Sequence, residues 1–288
     1  MKIKKRWLII FLVPGVSLFI FMYAISLVTL VATSFTEWRI GVSPTFIGLD
    51  HYIRMFQDPN FFTAFGNTIV WILLQCTLHV GIALAFALVI ARKKWYCKFA
   101  RGVFMIPNII SSAAIGMLFL CILNPSFGPV NQFLKAVGLD CLAKNWFADS
   151  KTAFWAVTLT WLPFAAVNAA LILAEMSSID EDIYEAAAID GASDSQKMRY
   201  ITLPLLRNII GTCTILAGTG MLHKFDTIMM TTGGGPGNRT MSMPLMLYNA
   251  AMRDNNFGYG NAIGVVMMLT GLVLVFAVNR IYKVGEVK

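Results

Sequence analysis

Six stretches of this 288-residue chain, near residues 7–33, 63–91, 102–123, 152–174, 208–228 and 258–282, are long, apolar and almost free of charge. A helix rises 1.5 Å per residue, so about 20 apolar residues reach across the roughly 30 Å hydrocarbon core of a bilayer. Apolar residues make up 57% of the chain and charged ones 13%, where a soluble domain carries about 25% charged residues. In water such a chain would leave far too much apolar surface uncovered. The fold expected is therefore an all-α membrane protein with six transmembrane helices, forming one domain over residues 1–288. Pro107 and Pro163 fall inside the third and fourth runs; prolines are tolerated in spans where neighbours satisfy the freed backbone groups.

The charges that remain set the orientation. The N-terminus opens with Lys2, Lys4, Lys5 and Arg6, then runs apolar from Trp7 to about Thr33. The apolar part of a signal peptide is typically about 7–15 residues, so this longer run reads as a retained first span. With the N-terminus inside, 15 of the 23 Lys and Arg fall on the inner side, five of them at Arg92, Lys93, Lys94, Lys98 and Arg101. That bias puts both termini in the cytoplasm. A net charge of +8 would suggest nucleic acid in a soluble protein, but here the basic residues lie between apolar runs, and no nucleic-acid partner is expected. The five cysteines are odd in number and scattered, with neither a disulfide framework nor metal-ligand spacing.

The longest inner segment, about 175–207, is polar but patterned. Ser178 with Glu181 reads as a capping box, and Asp180, Glu181 and Asp182 place negative charge in a first helical turn. Ile179, Ile183, Ala186 and Ala187 share one face, and Gly191 reads as a left-handed cap. Ser193 with Gln196 starts a second helix that carries Met198, Ile201 and Leu205, with Pro204 bending the path into the fifth run. Ala186, Ala187, Ala188, Gly191 and Ala192 permit close approach of another surface. By pattern alone, a docking element and a plain solvated connection are equally good readings.

Residues 185–204, EAAAIDGASDSQKMRYITLP, also resemble the "EAA" signature of ABC importer permeases: Glu-Ala-Ala, two residues, Asp-Gly-Ala, a spacer, then Ile-x-Leu-Pro. Glu185, Ala186, Ala187, Asp190, Gly191, Ala192, Ile201, Leu203 and Pro204 match it; Ser195 and Met198 stand where sugar permeases often carry an aromatic residue. The resemblance implies the type I ABC importer permease fold, with residues 175–207 as a cytoplasmic loop. Its coupling helix would sit in a cleft of an ATPase subunit. Four further stretches (34–38, 46–68, 124–139 and 224–240) look like the first permease subunit of maltose-, multiple-sugar- and glycerol-phosphate-type importers. Such permeases work in a bacterial cytoplasmic membrane with a second permease subunit, two ATPase subunits and an extracytoplasmic sugar-binding protein. The Gly233–Gly237 stretch does not fit a phosphate-binding G-x-x-x-x-G-K-[ST] loop, and no Gly-Lys dipeptide occurs. The chain is thus expected to hold no cofactor or metal and to be no enzyme, with ATP and Mg belonging to the partner ATPase.

Candidate substrate contacts come from the fourth and fifth runs. Sugars need hydrogen-bonding groups and aromatic faces. Thr160, Trp161, Phe164 and Asn168 supply both, with Trp161 and Phe164 three apart on one side of an expected helix, although ordinary bundle packing would use the same residues. Lys224 is either the polar edge of a pocket or, the favoured reading, a local ion pair with Asp226 at the helix end. A glycerol-phosphate cargo would call for more cations than Lys224, so the sequence favours a neutral oligosaccharide or disaccharide. An ion-gradient-driven transporter is the alternative class, but it would show inverted repeats and acidic residues deep in the spans, and neither is seen. A haem-bearing membrane anchor would need paired histidines, and His79 and His223 stand isolated.

Overall fold

The computed structural model describes residues 5–91 and 95–285, with the backbone alone for residues 5–10 and Tyr96. Lys2, Lys4, Arg92, Lys93, Lys94 and Lys288, which contribute to the orientation argument, lie outside the described residues. Nearly all regular secondary structure among the described residues is helical, and the chain divides into two compact units, one of Met1–Phe61 with Met246–Met268, the other of Phe62–Leu245 with Leu269–Lys288.

In the first unit a single helix, Lys5–Thr33, runs its full length despite Pro14. Its apolar side chains, among them Phe11, Phe19, Phe21 and Val28, are exposed, as they would be against lipid tails. Beyond it Ser34 donates to the Val31 carbonyl and lies 2.7 Å from the Tyr52 hydroxyl. A two-stranded antiparallel pairing sets Thr36 opposite Phe46, and the helix Asp50–Gln57 follows. The start of the last helix is pinned here: the Phe257 amide donates to the Trp38 carbonyl at 2.9 Å, and the Asn261 amide donates to the Thr33 hydroxyl at 2.7 Å. The Trp38 and Phe257 rings lie 5.3 Å apart.

The second unit is built on small residues. Ala83, Ala87, Ala165 and Ala169 pack with Val80, Ile172, Leu206 and Cys213 in its core, the close-approach chemistry by which helices associate where lipid removes the usual hydrophobic drive. Trp71 stacks on Phe154 at 4.8 Å and donates its indole N–H to the Thr158 hydroxyl at 2.8 Å. At Gly218 a Cβ would sit 2.6 Å from Leu274 and 2.8 Å from the Cys76 sulfur, so a larger residue would have to push those side chains aside.

Three helices, Phe11–Thr33, Pro59–Ile90 and Phe257–Tyr282, are long and apolar enough to cross a membrane, and two bent pairs raise the number to five among the described residues. The first, second and sixth runs are thus continuous helices, as expected. The other three differ from a straight crossing. The third bends by 101° between Cys97–Asn108 and Ser112–Ile122. The fourth is not one helix over 152–174 but two, Ala153–Leu159 and Ala166–Met176. The fifth breaks after Arg207–Met221 and resumes at Asp226–Thr231. Pro107 and Pro163 lie at the first two breaks and favour them, since proline has no N–H to donate and disfavours helical geometry at the residue before it, although Pro14 shows that a proline alone does not break a helix.

The loop sequence 124–139 contains a helix, Pro129–Ala136, organised by one buried side chain. The Asn131 amide donates to the carbonyls of Asn124 and Lys144, both at 3.0 Å, while its oxygen accepts from the Lys144 amide and the Trp146 indole. The glycine-rich stretch is a turn, with positive φ at Gly233, Gly234 and Gly237. It is tied down by Asn67, which donates to the carbonyls of Arg239 and Met241.

Candidate functional site

The three helix breaks of the second unit share one consequence: they line the same cavity, about 400 Å³ in volume. Pro107 and Asn108 come from the bend in the third run; Thr160, Trp161 and Phe164 from the break in the fourth, with Asn168 one turn further on; Lys224 from the break in the fifth. The Pro59–Ile90 helix contributes Gln75 and His79, which bound a one-turn π segment, a local widening often found at functional sites. Interrupted helix inside a bilayer is tolerated where the freed backbone lines a cavity.

Trp161 and Phe164 therefore face the cavity for a different reason from the one their spacing suggests. Residues 160–165 are irregular, not a helical face. The Thr160 hydroxyl donates to the Val157 carbonyl at 2.6 Å, leaving its oxygen able to accept. Trp161 is only 3% exposed, and its indole N–H is buried without a hydrogen-bond partner. His79 Nδ1 lies 2.9 Å from the Leu162 carbonyl; facing an acceptor, it is the protonated nitrogen. The Lys224 ammonium stands 5.6 Å from the centre of the Trp161 ring, a cation–π distance. Asp226 opens the helix Asp226–Thr231 and is exposed. No direct Lys224–Asp226 ion pair forms among the described residues; the local pairing that the sequence favoured is reduced to a through-space attraction of the ammonium by Asp226. Gln75, His79, Asn108, Ser112 and Thr227 are polar cavity residues that the sequence reading did not pick as substrate contacts; only their polarity in or beside apolar runs marked them.

The second candidate region is the loop. Its first helix, Glu181–Ile189, is capped by Asp180, whose carboxylate accepts from the Asp182 amide at 3.2 Å. The expected Ser178–Glu181 box does not form, because Ser178 turns back to donate to the Glu175 carbonyl. Gly191 takes φ +78°. The Ala192 amide reaches the Ala187 carbonyl and the Gly191 amide reaches Ala188, the paired bonds of a Schellman cap. Ser193 and Gln196 form the reciprocal box expected of them. The second helix, Asp194–Leu205, contains a π turn over Met198–Thr202 and meets Arg207–Met221 at 61° just after Pro204. The Tyr184 hydroxyl lies 3.0 Å from that of Thr202, so the two helices are joined. Glu185, Ala186, Asp190, Gly191 and Pro204 are exposed, Ala187 and Ala192 half-buried. Ile189, which the sequence did not single out, is 88% exposed.

A family described as the binding-protein-dependent transport system inner membrane component matches residues 78–285. The probable ABC transporter permease protein YurN of Bacillus subtilis (strain 168) is 32% identical over 283 residues, 96% of each chain. The trehalose/maltose transport system permease protein MalF of Thermococcus litoralis is 31% identical, over 84% of this chain and 80% of its own. Among solved structures, a bacterial alginate ABC transporter in complex with an alginate pentasaccharide-bound periplasmic protein contains a similar chain. It superposes with a TM-score of 0.82 at 24% identity, covering 98% of this chain and 97% of that one. The fold is that of a type I ABC importer permease. The chain belongs to the binding-protein-dependent transport system inner membrane component family; it is a multi-pass membrane permease, a component of a transporter.

Proposed function

We propose that this chain is the transmembrane permease subunit of an ATP-driven sugar importer. The observation that carries the reading is the cavity of about 400 Å³ at the helix breaks. It offers amide and hydroxyl groups beside the Trp161 and Phe164 rings, the mixture that a sugar ring with polar edges and apolar faces requires. Relatives named for arabinooligosaccharides, diacetylchitobiose and lactose, each 31–32% identical to this chain, support a carbohydrate cargo.

In this reading Thr160, Trp161, Phe164, Asn168 and Lys224 line the substrate path. A second permease subunit completes it, and an extracytoplasmic sugar-binding protein delivers the cargo. Residues 175–207 form the cytoplasmic loop, both termini being cytoplasmic in a bacterial cell membrane, and its helix pair docks on a dimer of ATPase subunits that hold ATP and Mg. Glu185, Ala186, Ala187, Asp190, Gly191, Ala192 and Pro204 belong to that contact. The short side chains let the ATPase come close, the Schellman cap fixes the angle between the helices, and Ile189 supplies an apolar knob. Closure of the ATPase pair on ATP drags this rigid element and opens the cavity outward; hydrolysis resets it.

The test is a cysteine cross-link. Ile189→Cys in native membranes is expected to cross-link to a nucleotide-binding subunit and to be protected by its docking. A chain that purifies with no ATPase, and whose introduced thiol labels freely in intact membranes, contradicts the reading.

A further inference from the structure

The cargo's charge is written in the same cavity. Resting on the importer reading, we infer that the substrate is a carbohydrate carrying one acidic group, a carboxylate or a sulfonate, and that Lys224 holds that group.

Among the described residues, Lys224 is the only charged one lining the cavity, and no carboxylate lines it. An ammonium group in a span is costly to keep there, and one that persists is held for a partner. The chain provides no direct counter-ion: Lys224 makes no ion pair among the described residues, Asp226 two residues on attracts it only through space, and the face of Trp161 lies 5.6 Å from the ammonium. A cation–π contact orients an ammonium without using up its three N–H donors. The cation is thus positioned by an aromatic ring, with no directly bonded counter-ion, beside open space.

A second observation is independent of the lysine. The Trp161 indole N–H is buried and unpartnered. A buried donor left unsatisfied costs about 1–3 kcal/mol, so a site that keeps one is built for an acceptor. An oxyanion is the strongest acceptor for the cation over the Trp161 face and for the N–H at that ring's edge, since bonds to an ionised group are roughly twice as strong as neutral ones. Around the pair, Gln75, Asn108 and Asn168 form no side-chain hydrogen bond among the described residues and stand ready for hydroxyl groups. A single cation matches a single negative charge, which sets a uronate or a sulfonated sugar apart from a phosphate ester, a dianion near neutral pH. The sequence alone favoured a neutral sugar because one lysine seemed too few; its placement in the cavity makes one sufficient.

The experiment uses the complete importer in proteoliposomes, with its own binding protein and skeleton-matched sugars: glucuronate with glucose, galacturonate with galactose, cellobiouronate with cellobiose, and sulfoquinovose with glucose. ATP-driven uptake is expected for an acidic member and to be at least tenfold weaker for its neutral counterpart. Lys224→Met is expected to lower that uptake at least tenfold, while Lys224→Arg retains most of it. If Lys224→Met does not assemble with its partners, Lys224→Gln takes its place. Uptake of neutral sugars only, or unchanged uptake of the acidic sugar by the neutralised variant, overturns this inference and leaves the importer reading intact. An assembled complex that moves no sugar of either kind overturns both.

Discussion

The loop at 177–206 and the cavity at residues 106–111, 160–165 and 222–225 both depart from straight helix, but for opposite reasons. The loop's turn is local. Asp180, Gly191, Ser193 and Gln196 satisfy helix ends with atoms only two to five residues away, and almost every side chain between Glu181 and Gln196 is left outside. The cavity's breaks are not local. Pro163 interrupts the fourth run, yet Pro14 leaves Lys5–Thr33 unbroken. What differs is the surroundings: Pro14 lies in a helix whose apolar residues face outward, whereas residues 160–165 open onto a polar cavity that receives the freed backbone. The contrast suggests a rigid, self-sufficient element for transmitting force and a cooperative, loosely specified one for holding cargo.

If the loop is a rigid lever, its left-handed residue is the most sensitive point. Gly191→Val forces a β-branched residue into φ +78°. The left-handed conformation costs about 1–2 kcal/mol for a residue with a Cβ, and more for a branched one. Coupled transport is expected to fall at least tenfold with normal membrane insertion, and Gly191→Asn to recover most of it; equal loss in both variants would detach the effect from backbone conformation. The cavity should respond differently. Trp161→Ala is expected to weaken uptake roughly tenfold while ATPase co-purification stays normal, since the residue is remote in sequence from the loop and serves the cargo. Loss of ATPase association in this variant would erase the distinction between the two regions.

Smaller effects sharpen the same comparison. Ser193→Ala removes a box worth about 1 kcal/mol. Faster amide hydrogen exchange is expected across 194–202, with none around Thr160; a change in both places would mean the loop is not self-sufficient. The smallest effect lies in the loop before Ala153–Leu159, where the Asp149 carboxyl is held below its ordinary value by the Lys151 amide first and then by Lys144, 3.1 Å away. A depressed carboxyl stabilises the fold above its unfolded value of 3.8 and loses that contribution as pH falls through the lower folded value. Asp149→Asn should therefore lower thermal stability slightly at neutral pH, the difference closing in acid below pH 3.8. The pair lies at the surface, about a third of each side chain exposed, so solvent and salt keep the effect small.

This division also explains what could be read from residues alone. The six apolar runs and the Ser193–Gln196 box were legible because hydropathy and capping act within a few residues of chain. Ser178 misled because two serviceable caps, Ser178 and Asp180, stand two residues apart, and only the path of the preceding helix decides between them. The breaks at 160–165 and 222–225 were not legible, since a run of apolar residues reads the same whether it packs straight or opens around a void. Thr160, Trp161, Phe164, Asn168 and Lys224 were picked for their chemistry and do share one cavity, although the helical spacing invoked for two of them does not exist there. Ile189 escaped notice because an exposed isoleucine acquires meaning only once its helix is seen to bury nothing.

The most direct test of the account is the ATPase activity of the reconstituted complex in lipid, with and without its binding protein loaded with sugar. The account predicts low activity alone, strong stimulation by the loaded protein, and loss of that stimulation in Gly191→Val. A complex whose hydrolysis ignores the loaded binding protein, or a chain that associates with no ATPase at all, would contradict it.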